Sequence, residues 1–471
     1  MARVAELQRK YPGIHRDIIV KWDVLTNGIR DTNDLDTVSS WRPASQGTYG
    51  SYDEEFTLQR LKTETPWRVK DDAVLLPDRL WMKTGLGFPL FRKQRSPYLI
   101  REIGAGKVAI FEGNEMIEAD LYPPPRKQRQ QPELVTGQGT PVRDLVQIRR
   151  NCYWIVPVRY CEYFNKGEEC KFCNFNPSQE DARAIGINRP VSINPEETAE
   201  AFRLCGSEVR LLEGVLEGGG FKKTETEASV NLRFVEQLNS ALPYKTDMKL
   251  AAEALPRREL ERLKDAGLSA ILFQMELFDE HLFSLMVPGK AKHMKREEWL
   301  EAFQNAVEVF GVGNVGAKFV GGLTLQGPHG YKTWQEARDS HMQGDQWMIR
   351  HGVFPAMAPL RWAPGSPFSR DPTNRDRFAP TEYYLDLMQA HHAAMKEYDL
   401  YDKLNKLLYC GLCCSASLYV GEMGIMEIAG DVGTWMSAVV PYEYNWLAQL
   451  IDSTKSSGTK LGQESASATR S

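Results

Sequence analysis

Several features that would place a protein in a familiar class are missing from this sequence. It has no apolar run of roughly eighteen residues, and charged and apolar side chains alternate from Met1 to Asp17, so we expect neither a membrane-spanning helix nor a signal peptide. Positive charge is not in excess: 58 Lys and Arg stand against 62 Asp and Glu, a formal net charge of −4. We therefore expect a cytoplasmic protein that binds neither membranes nor nucleic acid.

Cysteine is also scarce, with eight in 471 residues, and most of them lie in two short stretches. That distribution favours metal ligands over a disulfide framework. The first stretch holds Cys161, Cys170 and Cys173, and the polar, glycine-containing residues between the first two indicate a solvated loop. Thiolates grouped in this way bind zinc, copper(I) or an iron–sulfur cluster. An iron–sulfur cluster with only three cysteine ligands would keep one iron open to another molecule.

The second stretch holds Cys410, Cys413 and Cys414, and three interpretations of it remain open. These thiols could ligate an auxiliary iron–sulfur cluster, relay a thiol or radical to a substrate, or be small buried residues. A structural zinc site is an alternative for both stretches, because Cys170 and Cys173 with Cys410 and Cys413 have the paired spacing of a zinc ribbon.

The middle of the chain predicts an α/β fold, a parallel (β/α)6 partial TIM-type barrel. Alternating apolar runs and amphipathic segments indicate six strands, each followed by a helix or a loop and helix. Six units without a seventh favour an open barrel over the complete eightfold one, with sites at the C-terminal ends of the strands. The predicted strands are Tyr153 to Val158, Val209 to Leu216, Met248 to Glu253, Ala270 to Glu276, Val315 to Val320 and Val353 to Ala358.

Composition divides the chain into four predicted regions. Residues 1–148 form an N-terminal cap with short strands and a proline-rich linker near its end, and residues 149–398 form the barrel. Residues 399–452 form a small C-terminal region that carries the second group of thiols. The tail, residues 453–471, has almost no apolar side chains and is expected to be disordered.

Two glycine-rich segments have different meanings. Gly311 to Gly316 matches Gly-x-Gly-x-x-Gly, but it follows a predicted helix and precedes a strand, which is the reverse of the order in a dinucleotide site. Gly218, Gly219 and Gly220 instead follow the second predicted strand, where glycine lets backbone groups approach a ligand closely.

The cysteine loop and the strand–helix array that follows it together resemble the radical S-adenosylmethionine (radical SAM) superfamily. An aromatic residue usually precedes the third cysteine in that family, as Phe172 does here. Segments from Leu263 to Leu323 look closest to the branch of biotin synthase, lipoyl synthase and the hydrogenase-maturation enzymes. The sequence departs from the family in its loop, which reads Cys-x8-Cys-x2-Cys where Cys-x3-Cys-x2-Cys is usual.

The resemblance implies cofactor contacts for further residues. Gly218 to Gly220 would hold the amino group of the methionine moiety. Glu276 would bind the ribose hydroxyls. Either Lys290 or Lys292 would bind the carboxylate of the methionine moiety. Val320 and Gly321 would pack against the adenine. Cys161, Cys170 and Cys173 would ligate a [4Fe-4S] cluster.

The function implied by the resemblance is reductive cleavage of S-adenosylmethionine to a 5′-deoxyadenosyl radical, which abstracts hydrogen from a small-molecule substrate. Sulfur insertion, rearrangement or fragmentation, and cofactor biosynthesis all remain open. A flavodoxin- or ferredoxin-type protein would supply the electron. The alternative from another class is a zinc-stabilised scaffold or binding protein without redox chemistry.

Overall fold

The computed structural model describes most of the chain between residues 3 and 403. The described residues are 3–31, 41–43, 69–70, 73–77, 79–82, 87–89, 96–104, 107–122, 134–149, 152–164, 167–184, 189–208, 211, 213–360, 365–371, 377–400 and 403. Most of the proline-rich linker, the second group of thiols and the tail lie outside them.

The described residues of the N-terminal part include two helices and a small antiparallel meander. The helices are α1 (Arg3–Lys10) and α2 (Arg16–Asn27). The central strands pair antiparallel, with Ile100 opposite Ile110, in a sheet of order β1-β7-β8-β9-β5-β6. The strands are β1 (Arg30–Asp31), β2 (Trp41–Pro43), β3 (Val69–Lys70), β4 (Ala73–Pro77), β5 (Arg79–Met82), β6 (Gly87–Pro89), β7 (Tyr98–Gly104), β8 (Lys107–Glu112) and β9 (Glu115–Tyr122).

The remaining described elements form the barrel and its surrounding helices. Helices and strands alternate here, as the sequence predicts. They are α3 (Val142–Leu145), β10 (Gln147–Arg149), β11 (Cys152–Ile155), α4 (Phe175–Ala184), α5 (Pro195–Glu208), β12 (Glu213–Glu217), α6 (Thr224–Asn239), β13 (Asp247–Ala252), α7 (Arg257–Asp265), β14 (Ala270–Glu276), α8 (Glu280–Met286), α9 (Pro288–His293), α10 (Arg296–Phe310), β15 (Val315–Gly321), α11 (Trp334–Arg350), β16 (Phe354–Pro359), α12 (Pro367–Arg370) and α13 (Thr381–Glu397).

The barrel sheet confirms the predicted fold class. Its order is β10-β11-β12-β13-β14-β15-β16, and every neighbouring pair from β11 to β16 is parallel. Strand β10 is an unpredicted addition that pairs antiparallel with β11, with Ile148 opposite Tyr153. Because sequential strands are neighbours joined by helical crossovers, their C-terminal ends lie along one edge.

Side chains alternate between the helical layer and the barrel interior. On β12, Gly214 and Leu216 are buried, whereas Glu213, Val215 and Glu217 keep part of their surface. Buried positions on the strands and the facing helices form one apolar cluster. The alternate positions face inward, as in other barrels, and several of them are charged.

A second apolar cluster joins the N-terminal helices to the back of the barrel. It includes residues of α2, α11, β16 and α13. Trp22 of α2 stacks on Tyr384 of α13 with ring centroids 5.2 Å apart. The predicted division at residues 148 and 398 stays a prediction. Among the described elements, no helix is long and apolar enough to cross a membrane.

Candidate functional site

The three thiols of the cysteine loop lie just beyond the C-terminal end of β11. Cys170 is buried, Cys161 and Cys173 are half-buried, and all three are free thiols. The N–H of Cys173 donates to the carbonyl oxygen of Cys170 at 3.0 Å, immediately before α4 begins at Phe175. The half-buried Phe172 side chain packs against the barrel's apolar cluster. The loop is therefore at the edge of the sheet where the sequence places it.

Burial and the neighbouring thiols both raise the pKa of two of these cysteines. Burial raises the pKa of Cys161 to about 12, with a further increase from Cys173, while backbone N–H groups of Tyr163 and Gly220 act in the opposite direction. Burial likewise raises the pKa of Cys170; Lys290 opposes this, and both other thiols add to it. Because an apolar setting disfavours three thiolates, a bound metal centre would supply the compensating charge.

No three His, Cys, Asp or Glu side chains in the described ranges are close enough to hold a single metal ion. The three thiols are thus not arranged as a one-ion site. Their fit to a cluster rests on the donor set: three thiols on one loop, none of them in a disulfide, with two backbone N–H groups favouring the thiolate of Cys161.

The glycine segment after β12 packs directly on the cysteine loop. Gly219 N–H donates to the carbonyl oxygen of Val158 at 3.0 Å, and Glu162 N–H donates to that of Gly220 at 3.0 Å. A Cβ on Gly219 would overlap the carbonyl oxygen of Tyr160 and lie 2.7 Å from the nitrogen of Cys161. The close approach shown here is to the protein's own loop; contact of Gly218, Gly219 and Gly220 with a methionine amino group stays a prediction.

Lys290 is at the centre of a buried ionic network. Its Nζ lies 3.0 Å from Oε1 of Glu276 and 3.3 Å from Oε1 of Glu253, and it also donates to the carbonyl oxygen of Gln274. These three acceptors match the three N–H groups of the ammonium. Lys290 therefore bonds to the protein here, and its predicted contact with a methionine carboxylate stays a prediction.

Glu276 has an unusual backbone conformation at the end of β14. Its φ is 76°, and the register between β14 and β15 shifts between Phe273 and Glu276. Left-handed backbone at a non-glycine residue is costly and tends to occur at functional sites. Because the carboxylate pairs with Lys290, ribose binding by Glu276 would use its other oxygen.

Two further carboxyl groups extend the network, and the sequence analysis missed both. Glu253 directly follows β13, and burial raises its pKa to about 7, with Lys290 opposing the increase and Glu276 adding to it. Oε1 of Glu227 accepts from the N–H of Glu253 at 3.2 Å, and burial together with Glu253 raises the pKa of Glu227 well above its usual value. Glu253 could have been predicted as a site residue from the sequence, because Glu217, Glu253 and Glu276 end or follow three successive strands.

A second charged group faces the barrel interior below this network. Oε1 of Glu217 accepts from Nε2 of Gln274 at 2.6 Å and from Nζ of Lys318 at 3.1 Å. Burial opposes ionisation of Glu217, but Lys318, Lys249 and the hydrogen bond from Gln274 together lower the pKa of the carboxyl. Both side chains keep about a quarter of their surface, at 26% and 29%. The interior is thus polar and partly open.

Val320 and Gly321 lie at the C-terminal end of β15, where the sequence places them. Tyr384 Oη donates to the carbonyl oxygen of Gly321 at 3.2 Å, and Gly322 N–H donates to Tyr383 Oη at 3.1 Å. A Cβ on Gly321 would lie 2.5 Å from Sδ of Met357. Helix α13 therefore fixes the strand end predicted to pack on adenine, a contact that sequence reasoning did not foresee.

Comparison with known proteins gives one partial relative and several distant structures. No family model matches the chain. The chain is 25% identical over 241 residues to bacteriochlorophyllide c C-7(1)-hydroxylase from Chlorobaculum limnaeum, covering 47% of this chain and 56% of that protein. It therefore spans little more than half of the relative's length.

The chain is also distantly similar to solved structures, which include methylornithine synthase, at 16% identity and a TM-score of 0.37, covering 53% of this chain and 64% of that one. They also include a radical SAM methyltransferase from Sphaerobacter thermophilus, at 12% identity and a TM-score of 0.36, covering 83% and 91%. Similarities this distant say nothing about the reaction.

The structure places the three-thiol loop after the first parallel strand of an open parallel barrel, which is the arrangement that the resemblance to the radical SAM superfamily implies. The predicted fold class is confirmed, and membership of the superfamily stays a prediction. The cofactors of that class are a [4Fe-4S] cluster and S-adenosylmethionine. The relative named above is an enzyme by its printed name.

Proposed function

We propose that this protein is a radical SAM enzyme acting on a small-molecule substrate. The observation that carries the proposal is the meeting of three free thiols with the Lys290 network at one edge of the barrel sheet. When bound, the cluster would supply the electron that cleaves S-adenosylmethionine, and the resulting 5′-deoxyadenosyl radical would abstract hydrogen from the substrate. A flavodoxin- or ferredoxin-type protein in the cytoplasm would supply that electron.

The chain's own residues would bind the cofactors, orient the reacting groups and shield them from water. Cys161, Cys170 and Cys173 would hold the cluster, with the glycine segment backing the loop. Glu276 and the β15 end would receive the nucleoside. The apolar layer that buries Cys170 and Lys290 would exclude water from the reacting centre.

For the substrate we propose only a class of reaction, one that begins with abstraction of a hydrogen atom. The relative's name describes hydroxylation at C-7(1) of a bacteriochlorophyllide, and functionalisation of a carbon–hydrogen bond is compatible with hydrogen abstraction. The partly exposed pair Glu217 and Lys318 would face a substrate in the interior and match polar groups on it. Sulfur insertion, rearrangement and cofactor biosynthesis share the same first step.

Metal analysis tests the cluster directly. Protein purified and reconstituted without oxygen should contain iron and acid-labile sulfide, roughly four of each per chain from this loop. Cys161→Ala should lose most of both, whereas Cys205→Ala, which changes a buried thiol elsewhere on α5, should keep them. Stoichiometric zinc without sulfide would instead support the zinc-stabilised scaffold and contradict the proposal.

The thiols Cys410, Cys413 and Cys414 lie outside the described residues, and an auxiliary cluster there is part of the proposal only as a hypothesis. Replacing all three with alanine should lower the iron content if they ligate a second cluster. Iron equal to that of the wild type would exclude a second cluster at these residues.

A further inference from the structure

The long gap between the first two cysteines is compensated by a side chain on α4. Oδ1 of Asn176 accepts from the backbone N–H of Cys161 at 2.8 Å, and Nδ2 of the same side chain donates to the carbonyl oxygen of Cys161 at 3.0 Å. The carboxamide thus uses both backbone groups of one residue, as a neighbouring β-strand would. Asn176 is 5% exposed, so water does not compete strongly for these bonds.

This contact joins two parts of the loop that are distant in sequence. Asn176 lies in the first turn of α4, three residues after Cys173, while Cys161 lies twelve residues before Cys173. The main chain between Cys173 and Asn176 is short and enters a helix. Fixing Cys161 to Asn176 therefore fixes Cys161 relative to Cys173 without depending on the residues of the gap.

The second thiol is held separately, by backbone bonds on both sides of it. Gly289 N–H donates to the carbonyl oxygen of Glu168 at 2.9 Å, and Lys171 N–H donates to that of Met286 at 2.9 Å. The Glu168 carboxylate also pairs with Lys222 and Lys292, which lower its pKa to about 2. Cys170 is thereby tied to the junction of α8 and α9, independently of Asn176.

We propose that Asn176 is a positioning residue that sets the location of the Cys161 thiol for metal binding in this lengthened loop. The inference rests on the proposed function for the identity of the bound centre. The anchoring of Cys161 by Asn176 does not depend on the proposed function, because it is a property of the metal-free chain. Without Asn176, the carbonyl oxygen of Cys161 keeps a bond from the N–H of Phe164, at 3.4 Å, but no hydrogen bond among the described residues then ties Cys161 to the helix that follows Cys173.

Two measurements on the full-length chain test this role. The first is the iron and sulfide content of Asn176→Ala after anaerobic reconstitution, which should fall at least twofold from the wild-type value. The second is the rate of iodoacetamide alkylation of each thiol in the metal-free protein, followed by mass spectrometry. Cys161 should react several-fold faster in Asn176→Ala, while Cys170 and Cys173 keep their wild-type rates.

Ser178→Ala is the matched control, because Ser178 is buried on the same helix and its hydroxyl donates to the carbonyl oxygen of Phe175 at 2.8 Å, not to a cysteine. It should leave iron content and all three alkylation rates unchanged. Asn176→Asp keeps an acceptor for the Cys161 N–H but sets an oxygen against the Cys161 carbonyl. It should bind less iron than the wild type even if Asn176→Ala fails to fold.

Wild-type iron content in either Asn176 variant would overturn the proposal, and so would faster alkylation shared equally by all three thiols, which marks general loosening. The proposed function fails in a different way: wild-type protein would itself hold no iron or sulfide. In that case the selective change at Cys161 would still report whether Asn176 anchors it.

Discussion

At the scale of single residues, the site is dominated by carboxyl groups that outnumber the cation between them. Glu253 and Glu276 both pair with Lys290, and Glu227 contacts the backbone of Glu253. Removing one partner from a buried ion pair leaves charge without compensation, which costs more than the intact pair contributes. Lys290 therefore stabilises the folded, metal-free protein, independently of any contact with a cofactor.

Replacing Lys290 with methionine should destabilise the metal-free protein by about 3–5 kcal/mol at pH 8. Loss of the cation would raise the folded-state pKa of Glu253 above its present value of about 7, further above that of the unfolded chain. The folded variant then binds a proton that the unfolded chain has released, so its stability falls as the pH rises. Urea unfolding should show a smaller loss at pH 5 than at pH 8.

Lys292→Met is the matched control for this experiment. Lys292 lies on the same helix but is 65% exposed, and its partner Glu168 keeps a second cation, Lys222, when Lys292 is replaced. Its loss should change the free energy of unfolding by less than about 1 kcal/mol at either pH. Equal losses for the two variants would contradict the assignment of Lys290 to a buried network.

The functional role of a residue was predictable from the sequence where its side-chain type itself implies chemistry. The thiols and Glu276 belong to that group, and the structure brings them to one edge of the barrel. Asn176 was not predictable, because an asparagine after a cysteine carries no signal of the backbone it will contact. Lys290 was foreseen as a cation of the site, but its protein partners depend on the bend of the chain at Glu276.

At the scale of elements, the glycine segment is a surface against which the cysteine loop is built. Gly219 has no room for a side chain because the Tyr160 carbonyl and the Cys161 nitrogen occupy the space. Both obstacles are backbone atoms, so a larger residue would displace the backbone of the loop. A change of side-chain rotamer could not relieve the overlap.

Gly219→Ala should lower the free energy of unfolding by roughly 1–3 kcal/mol and reduce iron content after reconstitution. Gly13→Ala is the control, because a Cβ there meets no atom within 4 Å. Thermal unfolding and iron analysis of both variants check the expectation. A Gly219 variant with wild-type stability and iron would show that the loop does not need this close contact.

Periodicity predicted the long helices and inner strands well. Strand β14 has the predicted bounds, because Gly267 ends the helix before it sharply. It missed β10, which has three residues and forms only by pairing with β11. It also missed α8 and α9, which are short and are held by capping and by contact with the cysteine loop.

At the scale of the molecule, the open parallel sheet explains why chemistry-bearing residues from distant parts of the chain converge. Residues near 161, 217, 253, 276 and 321 all follow or end barrel strands, so they share one edge. The barrel was predictable from the alternation of strands and helices. The packing of α2 on α13 through Trp22 and Tyr384 was not, because no local pattern relates residues so far apart.

The central claim is that the three-thiol loop supports cleavage of S-adenosylmethionine, and the most direct measurement is formation of 5′-deoxyadenosine. Reconstituted wild-type protein with dithionite and S-adenosylmethionine should release 5′-deoxyadenosine and methionine, and Cys161→Ala, Cys170→Ala and Cys173→Ala should each lower the rate by at least a hundredfold. Iron-loaded wild-type protein that forms no 5′-deoxyadenosine, or a cysteine variant that forms it at the wild-type rate, would contradict the claim.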